Sequence, residues 1–269
     1  MKERLVHNYL ETATEIAATA GEIMLKYFDI GVAADWKEDN TPVTIADEEI
    51  NRMVIDRIVA EYPTHGVVGE EASVEKPDAK MQWVCDPIDG TVPYMLGIPT
   101  NVFSLALCED GRPIVAVVTD PYLDRTYTAT LGGGTFCNDR KLTVSDTKEL
   151  RGSFMNVSGR TSGAAAHTPA VYYVLKKSGV RQLHHNSMVY EVVQVASGMF
   201  DAAIFTQSTP WDAAAGVLLV TEAGGKATDV AGAEQRYDRP INGTIFSNGV
   251  LHDDLVQLLA PHLATPPIR

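Results

Sequence analysis

Two aspartates, Asp86 and Asp89, lie three positions apart at the end of an apolar run in the segment WVCDPIDGT. Gly90 and Thr91 follow directly, and glycine permits an unusual backbone turn while threonine can cap the next element, leaving backbone N–H groups free to bind an anion. Hard divalent cations prefer carboxylate oxygens as ligands. The pattern is therefore compatible with a cation and phosphate site. Taken alone, however, these four residues favour a simple turn and helix N-cap, where Asp, Gly and Thr are common.

Two further acidic features stand at the ends of predicted elements. The segment GVVGEEA ends in Glu70 and Glu71, and STPWDAAAGVLLVTEAGG places Asp212 at the start of a strongly helical stretch. Taken alone, Glu70 is explained by a solvated strand end and Asp212 by a helix N-cap. Taken with the aspartate pair, these carboxylates are what a cluster of divalent cations requires. Without cations such a cluster would repel itself.

The charge of the chain limits its partners. The formal net charge is -13 at pH 7, so no basic surplus is available to bind nucleic acid or an anionic membrane. An acidic protein that binds phosphate needs metal cations to make the local charge positive.

The apolar runs and the cysteines bear on the compartment of the protein. No run approaches the roughly 20 apolar residues of a membrane span, and the three cysteines lack the spacing of a disulfide framework or zinc site. We therefore expect a cytoplasmic protein with reduced thiols.

Periodicity predicts the elements that must position these residues. Apolar positions at helical spacing predict one helix over about 5–28 and a second over about 43–62. Short apolar runs bounded by turn residues then predict a largely antiparallel sheet, in which Pro87 should end one strand at Asp86. From about Arg151, strands and helices alternate.

The predicted fold class is therefore α+β to α/β, in two halves that share one packed body. The first half, residues 1–150, holds two helices and the antiparallel sheet and carries most of the carboxylates. The second half, residues 151–269, is α/β and carries Asp212 together with the residues expected to select the substrate.

Four segments carry a family resemblance. WVCDPIDGT and WDAAAGVLLVTEAGG, with GEE and KEDNTPVTIAD upstream, resemble the inositol monophosphatase family of magnesium-dependent, lithium-sensitive phosphatases. The segments follow the family's order and spread from Lys37 to Gly225. The resemblance implies a layered αβαβα sandwich that hydrolyses a small phosphorylated polyol or sugar. It also implies two or three Mg²⁺ ions per active site and direct in-line attack by a metal-activated water, without a covalent enzyme intermediate.

The resemblance also implies the metal ligands. Glu70, Asp86 and the carbonyl of Ile88 match the ligands of a first metal, and Asp86, Asp89 and Asp212 match those of a second. Members of the family often hold a third, weaker magnesium through the glutamate matched by Glu70. The spacing of Asp86 and Asp89 is then explained, because one bridges two cations while the other reaches the second only.

Catalytic and phosphate-binding roles follow from the same resemblance. Thr91 matches the threonine that orients the attacking water, Asp47 matches the aspartate paired with it, and Glu70 holds the metal that activates the water. Backbone N–H groups of Gly90 and Thr91 are expected to hold phosphate at a helix start.

Two departures from the family pattern bear on the substrate. Phe205 stands seven residues before Asp212, where inositol-specific members carry a glutamate that bonds substrate hydroxyls. We therefore expect Phe205 to line the pocket and to disfavour inositol phosphate. The segment HHNSMVYE replaces a Gly-Ser/Thr-Ala run and places Asn186, Ser187 and Met188 near the substrate. For Met188 and Phe205, packing in the core is the alternative.

Several alternatives remain open at this level. A histidinol-phosphate or fructose-1,6-bisphosphate phosphatase fits the same motifs, although the amine of histidinol favours a carboxylate and none lies between Asp201 and Asp212. A non-enzymatic alternative is a catalytically silent binding module of the same fold. A calcium-binding module is disfavoured because no EF-hand spacing is present. The prediction for assembly is a homodimer that acts on a small phosphorylated metabolite and binds neither nucleic acid nor a membrane.

Overall fold

The computed structural model describes residues 2–29, 31–38, 41–76, 78–159 and 167–263. Within these ranges the chain forms seven helices and fourteen strands. The helices are α1 (Lys2–Tyr27), α2 (Ile45–Glu61), α3 (Thr91–Met95), α4 (His167–Lys177), α5 (Met188–Ala196), α6 (Pro210–Glu222) and α7 (His252–Leu263). The strands are β1 (Ala34–Trp36), β2 (Pro42–Thr44), β3 (Gly66–Gly69), β4 (Met81–Asp89), β5 (Val102–Glu109), β6 (Arg112–Asp120), β7 (Arg125–Thr130), β8 (Gly134–Cys137), β9 (Arg140–Lys141), β10 (Phe154–Ser158), β11 (Arg181–Gln182), β12 (Ala202–Phe205), β13 (Lys226–Thr228) and β14 (Thr244–Ser247).

Helices and sheets alternate in five layers. α1 and α2 cover one face of a seven-stranded sheet of order β3-β4-β5-β6-β7-β8-β9, in which only the β3–β4 pair is parallel among the described pairs. α5 and α6 form the middle layer against a five-stranded sheet of order β11-β10-β12-β14-β13. α4 and α7 cover the far face of that sheet. The predicted layered αβαβα sandwich is confirmed.

The buried strand β5 shows how one sheet serves two cores. Phe103, Leu105 and Leu107 pack in the core beneath α1 and α2, whereas Val102 and Ala106 belong to the core shared with α5 and α6. Successive side chains of a strand point to opposite faces, so one apolar run supplies both cores. Because α5 and α6 come from the second half of the chain, the two halves share one core. The boundary near residue 150 stays a prediction.

Strand β4 continues past the point where the sequence predicted its end. It pairs Asp86 with Ser104 and Asp89 with Val102, and its register shifts between the two aspartates. Proline has no N–H for a ladder, and this irregularity accommodates Pro87 without ending the strand. The expected end at Asp86 is therefore wrong. The same shift brings both carboxylates to one cavity, because neither is confined to the strict alternation of a regular strand.

The buried His252 on α7 should make the stability of the protein depend on pH. Its Nε2 lies 2.9 Å from Thr228 Oγ1 and its Nδ1 lies 2.8 Å from Ser247 Oγ. Burial lowers the pKa of His252 from 6.5 to about 4. The unfolded chain therefore takes up this proton first, and the free energy of unfolding should fall by up to about 3 kcal/mol as the pH drops from about 6.5 to about 4.

Denaturant unfolding of wild type and His252→Gln across this pH range checks the effect. At pH 8, wild type should have the larger free energy of unfolding. Its difference from His252→Gln should shrink as the pH falls, because the variant lacks the titrating group. His7→Gln, which replaces an exposed histidine of α1, is the control and should follow wild type. Parallel pH profiles for wild type and His252→Gln would contradict the assignment.

Candidate active site

A cavity of about 700 Å³ opens where β4 ends and where α3, α5 and α6 begin. Its lining brings together residues that are far apart in the sequence but carry the predicted chemistry. Those residues are Glu70, Asp86, Ile88, Asp89, Gly90, Thr91, Asn186, Met188 and Asp212. Helix N-termini carry partial positive charge, so three of them around one cavity favour negative charge there.

Asp86, Asp89 and Asp212 form the centre of the site. Each offers an oxygen within 4.8 Å of the others, and all three side chains are buried. Burial, followed by the negative charge of Glu70, holds the pKa of Asp86 well above its usual range. Burial also raises the pKa of Asp212 to about 7 and that of Asp89 to about 6. These pKa shifts reflect the free-energy cost of burying several negative charges together without a compensating cation.

One atom of this group indicates what the site is built to hold. Asp86 Oδ1 is buried and has no hydrogen-bond partner within the described part of the chain. Leaving a buried carboxylate oxygen unpaired costs free energy, so such atoms are rare in folded proteins. An all-oxygen donor set with one unpaired oxygen fits a hard divalent cation such as Mg²⁺. The chemistry of the residues therefore fits the implied metal.

Asp212 and Asp47 are positioned by the same local device. Asp212 Oδ2 accepts hydrogen bonds from the N–H and the hydroxyl of Thr209, at 2.5 and 2.7 Å. Asp47 Oδ2 accepts from the N–H and the hydroxyl of Thr44, at 2.8 and 2.5 Å. Each aspartate is the third residue of its helix and completes a capping box. One oxygen of each carboxylate is thus fixed by the helix start, which orients the other.

Asp89 is held by the first turn of α5, about a hundred residues away in sequence. Its Oδ1 accepts from Met188 N at 3.0 Å, and its Oδ2 accepts from Val189 N at 2.8 Å and Tyr190 N at 3.3 Å. Ser187 Oγ also donates to Oδ2. A carboxylate at a helix N-terminus is stabilised by the free N–H groups and by the helix dipole. The contact locks the second half of the chain onto the end of β4.

Thr91 stands at the start of α3, between a carboxylate and a carbonyl. Its Oγ1 lies 3.5 Å from Asp47 Oδ1 and 3.3 Å from the carbonyl oxygen of Ile88. Asp47 is fully buried behind Thr91, and burial raises its pKa to about 7. A hydroxyl that donates its proton to either oxygen keeps its own lone pairs available. The geometry therefore brings together the predicted pair of Thr91 and Asp47.

Glu70 lines the same cavity and is joined to a lysine that the sequence did not single out. Lys37 Nζ lies 2.9 Å from Glu70 Oε1 and 2.7 Å from Glu71 Oε1. Lys37 follows β1, and the hairpin of β1 and β2 carries it to the cavity edge. Glu70 would then have its other oxygen, Oε2, available to hold a metal while Lys37 stays in place.

Comparison with known proteins decides the family. The sequence profile of the inositol monophosphatase family matches residues 5–264. The chain belongs to this family. Members of the inositol monophosphatase family are phosphatases that hydrolyse phosphomonoesters, and they are metal-dependent, generally on Mg²⁺. The protein is therefore a phosphoric monoester hydrolase that acts on small phosphorylated substrates.

Similar proteins cover most of the chain. A fructose-1,6-bisphosphatase/inositol-1-monophosphatase of Thermotoga maritima is 34% identical over 217 residues, which are 81% of this chain and 82% of that protein. A histidinol-phosphatase of Mycobacterium tuberculosis is 31% identical over 259 residues, 94% of this chain and 98% of its own length. The solved structure of a Thermotoga maritima IMPase superposes with a TM-score of 0.85 at 29% identity, covering 95% of this chain and 98% of that one.

Phe205 does not line the cavity of this inositol monophosphatase family member, and the prediction of a substrate contact is wrong. Its side chain is fully buried in the core under α5 and α6, with its ring edge-on to Phe246 at 5.4 Å between centroids. Ser187 is likewise buried and donates to Asp89, so its hydroxyl positions that carboxylate. Asn186 and Met188 line the cavity, and their contact with the substrate stays a prediction.

The wall opposite the carboxylates contains residues that sequence reasoning missed. Ser158 and Gly159 at the end of β10, Thr168 on α4 and His184 before α5 all face the cavity. Ser158 had no motif to mark it. The capping threonines were detectable, since each lies three positions before an aspartate that starts a helix.

Proposed function

We propose that the protein is a Mg²⁺-dependent phosphomonoesterase for a small phosphorylated polyol, sugar or similar alcohol. The observation that carries this proposal is the buried group of Asp86, Asp89 and Asp212, with its unpaired Asp86 oxygen, in one cavity with the Thr91 hydroxyl. Family membership supports the reaction class, while the choice of metal, the mechanism and the substrate belong to the proposal.

The carboxylates provide ligands for at least two ions. Glu70, Asp86 and the carbonyl of Ile88 would hold the first Mg²⁺, and Asp86, Asp89 and Asp212 would hold the second; a third would use Glu70. When bound, Mg²⁺ supplies positive charge that stabilises the phosphate oxygens and makes water a better nucleophile. Asp89 and Asp212 are positioned in advance by helix starts, which limits the rearrangement that metal binding requires.

The other residues of the site orient the water and the phosphate. Thr91 donates its proton to Asp47 or to the Ile88 carbonyl, so its oxygen can accept a hydrogen bond from the attacking water. The N–H groups of Gly90 and Thr91 at the start of α3 would hold the phosphate. Gly90 has φ 91°, and a Cβ there would lie 2.8 Å from Ser187 Cβ, so only glycine fits this turn.

The far wall supports a hydroxylated substrate. The polar residues Ser158, Thr168, His184 and Asn186 line the cavity beside the apolar Met188. These groups can pair with alcohol hydroxyls, whose burial without partners costs about 1–3 kcal/mol each. Since Phe205 is a core residue, the predicted discrimination against inositol phosphate loses its basis. Histidinol phosphate remains a second candidate because of the similar histidinol-phosphatase, although the described wall offers no carboxylate beyond the metal-site group.

Phosphate release from a panel of monoesters tests the proposal. Inositol, sugar, histidinol and nucleotide phosphates are each assayed with Mg²⁺ and with excess chelator, and we expect Mg²⁺-dependent turnover that is strongest for a hydroxylated monophosphate. Millimolar Li⁺ should inhibit, because it resembles Mg²⁺ in size but carries half the charge. A folded protein that releases no phosphate from any ester would instead favour the silent binding module.

Two other predictions remain part of the proposal. No described helix has the length and apolar character needed to cross a bilayer. The cytoplasmic location stays a prediction, and it is supported by the three cysteines being free thiols. Homodimer formation is checked by light scattering coupled to size exclusion at several protein concentrations.

A further inference from the structure

The segment between β11 and α5 builds one wall of the cavity by alternation. His184, Asn186 and Met188 line the cavity, whereas Ser187 between them is buried and His185 is half-buried. Asn186 has φ 56°, in the left-handed region that asparagine tolerates better than most residues. The cavity wall therefore depends on how the backbone of this segment is held from behind.

Buried side chains hold the backbone on either side of His184. Asn156 Nδ2 donates to the carbonyl of Leu183 at 2.6 Å, and the N–H of His185 donates to Glu191 Oε1 at 2.9 Å. Ser187, the other intervening residue, donates to Asp89. Each residue that faces the cavity is thus flanked by anchored neighbours. The middle anchor, Glu191, has no contact with the metal ligands among the hydrogen bonds of the described residues.

We propose that Glu191 is a positioning residue for the alcohol part of the substrate, because its buried carboxyl fixes the backbone of His185 between His184 and Asn186. The inference rests on the proposed phosphatase function and adds a specificity element to it. Glu191 lies in the first turn of α5 and is 0% exposed. Burying a carboxyl costs free energy unless it is hydrogen-bonded, so packing alone does not account for a glutamate here.

A directed chain of hydrogen bonds joins Glu191 to the other anchor. Ser158 Oγ lies 3.0 Å from Glu191 Oε2 and 2.9 Å from Asn156 Oδ1, but a hydroxyl has one proton. Burial raises the pKa of Glu191 to about 8. The neutral carboxyl can therefore donate to Ser158, Ser158 to Asn156, and Asn156 to the Leu183 carbonyl. This chain connects both anchors with the end of β10, which also lines the cavity.

The chain predicts which substitutions preserve the wall. In Glu191→Gln, the amide oxygen can accept from the His185 N–H while the amide nitrogen donates to Ser158, so both bonds are kept. In Glu191→Leu, both are lost at similar volume. Gln194→Leu is the matched control, because Gln194 is a buried polar residue of the same helix that takes no part in the chain.

The test separates the alcohol end of the site from the phosphate end. Steady-state kinetics are measured with two substrates, the best-hydrolysed monoester of the panel and inositol 1-phosphate as a standard. Inorganic phosphate is added as a product inhibitor, which reports on the phosphate end alone. We expect Glu191→Leu to raise KM for the monoester at least about tenfold, with kcat, the Ki of phosphate and the half-saturating Mg²⁺ concentration within about threefold of wild type. Glu191→Gln and Gln194→Leu should stay within about threefold in every constant.

Hydrogen exchange gives a readout that does not depend on activity. The His185 amide should be protected in wild type and Glu191→Gln, and should exchange at least about tenfold faster in Glu191→Leu. Unchanged protection in Glu191→Leu, or an equal rise in KM, phosphate Ki and Mg²⁺ requirement, would overturn the inference. A wild type without Mg²⁺-dependent phosphate release would reject the proposed function instead, and the exchange result would still decide whether Glu191 anchors the segment.

Discussion

Asp86→Asn is expected to lower kcat by at least about a thousandfold while the protein stays folded. Asp86 is the residue proposed to bridge both metal sites, and its Oδ1 has no hydrogen-bond partner within the described ranges. An amide is nearly the same size but carries no charge, so it weakens both sites at once. Because the lost oxygen makes no bond that supports the fold, activity should suffer much more than stability.

Asp120→Asn is the matched control for this substitution. Asp120 is also a buried aspartate with one oxygen unpaired in the described part of the chain, and its other oxygen accepts from Tyr122 N and Leu123 N. It lies outside the cavity lining, so kcat should stay close to wild type. Mg²⁺ should raise the Tm of wild type and of Asp120→Asn but have little effect on Asp86→Asn. Near-normal turnover by a folded Asp86→Asn protein would refute the proposed metal site.

Removal of divalent cations is expected to abolish phosphate release and to destabilise the protein. Excess chelator should reduce turnover to background, and added Mg²⁺ should restore it, because the cavity relies on cations to attract a phosphate dianion to several carboxylates. Salt added to the same ionic strength is the control and should not restore activity. Full turnover in excess chelator would exclude the mechanism.

The same experiment has a pH dependence with a defined sign. Burial raises the pKa of Asp212 to about 7 and of Asp89 to about 6, so without metal the folded state holds these protons more tightly than the unfolded chain. The contribution of these carboxyls to stability is present at low pH and is lost as the pH rises from about 4 to about 7. Cations replace the protons, so the increase in unfolding free energy caused by Mg²⁺ should grow over this range. An increase in unfolding free energy that does not change with pH would contradict the proposed metal site.

Local sequence determined those parts of the site that depend on neighbours in the chain. The Thr-x-x-Asp patterns at residues 44–47 and 209–212 form capping boxes, since the bonds that orient each aspartate span three residues. The carboxylates Asp86 and Asp89 and the following Gly90 were recognisable because their types and spacing are themselves the chemistry. Apolar periodicity likewise predicted the long helices and the antiparallel sheet, because burial of one face requires it.

Tertiary structure alone decided the remaining features, because their causes lie far away in the sequence. All four residues of β12 are buried, so the strand has no alternation of apolar and polar residues that would show which face of the sheet Phe205 occupies. The packing of the layers decides that its ring lies in the core beneath α5 and α6. The partners of Asp89 lie 98 to 101 residues away on α5, and Glu191 meets Ser158 across 33 residues. No local pattern encodes such contacts. They form when the middle helices pack between the two sheets, which places the first turn of α5 against the end of β4.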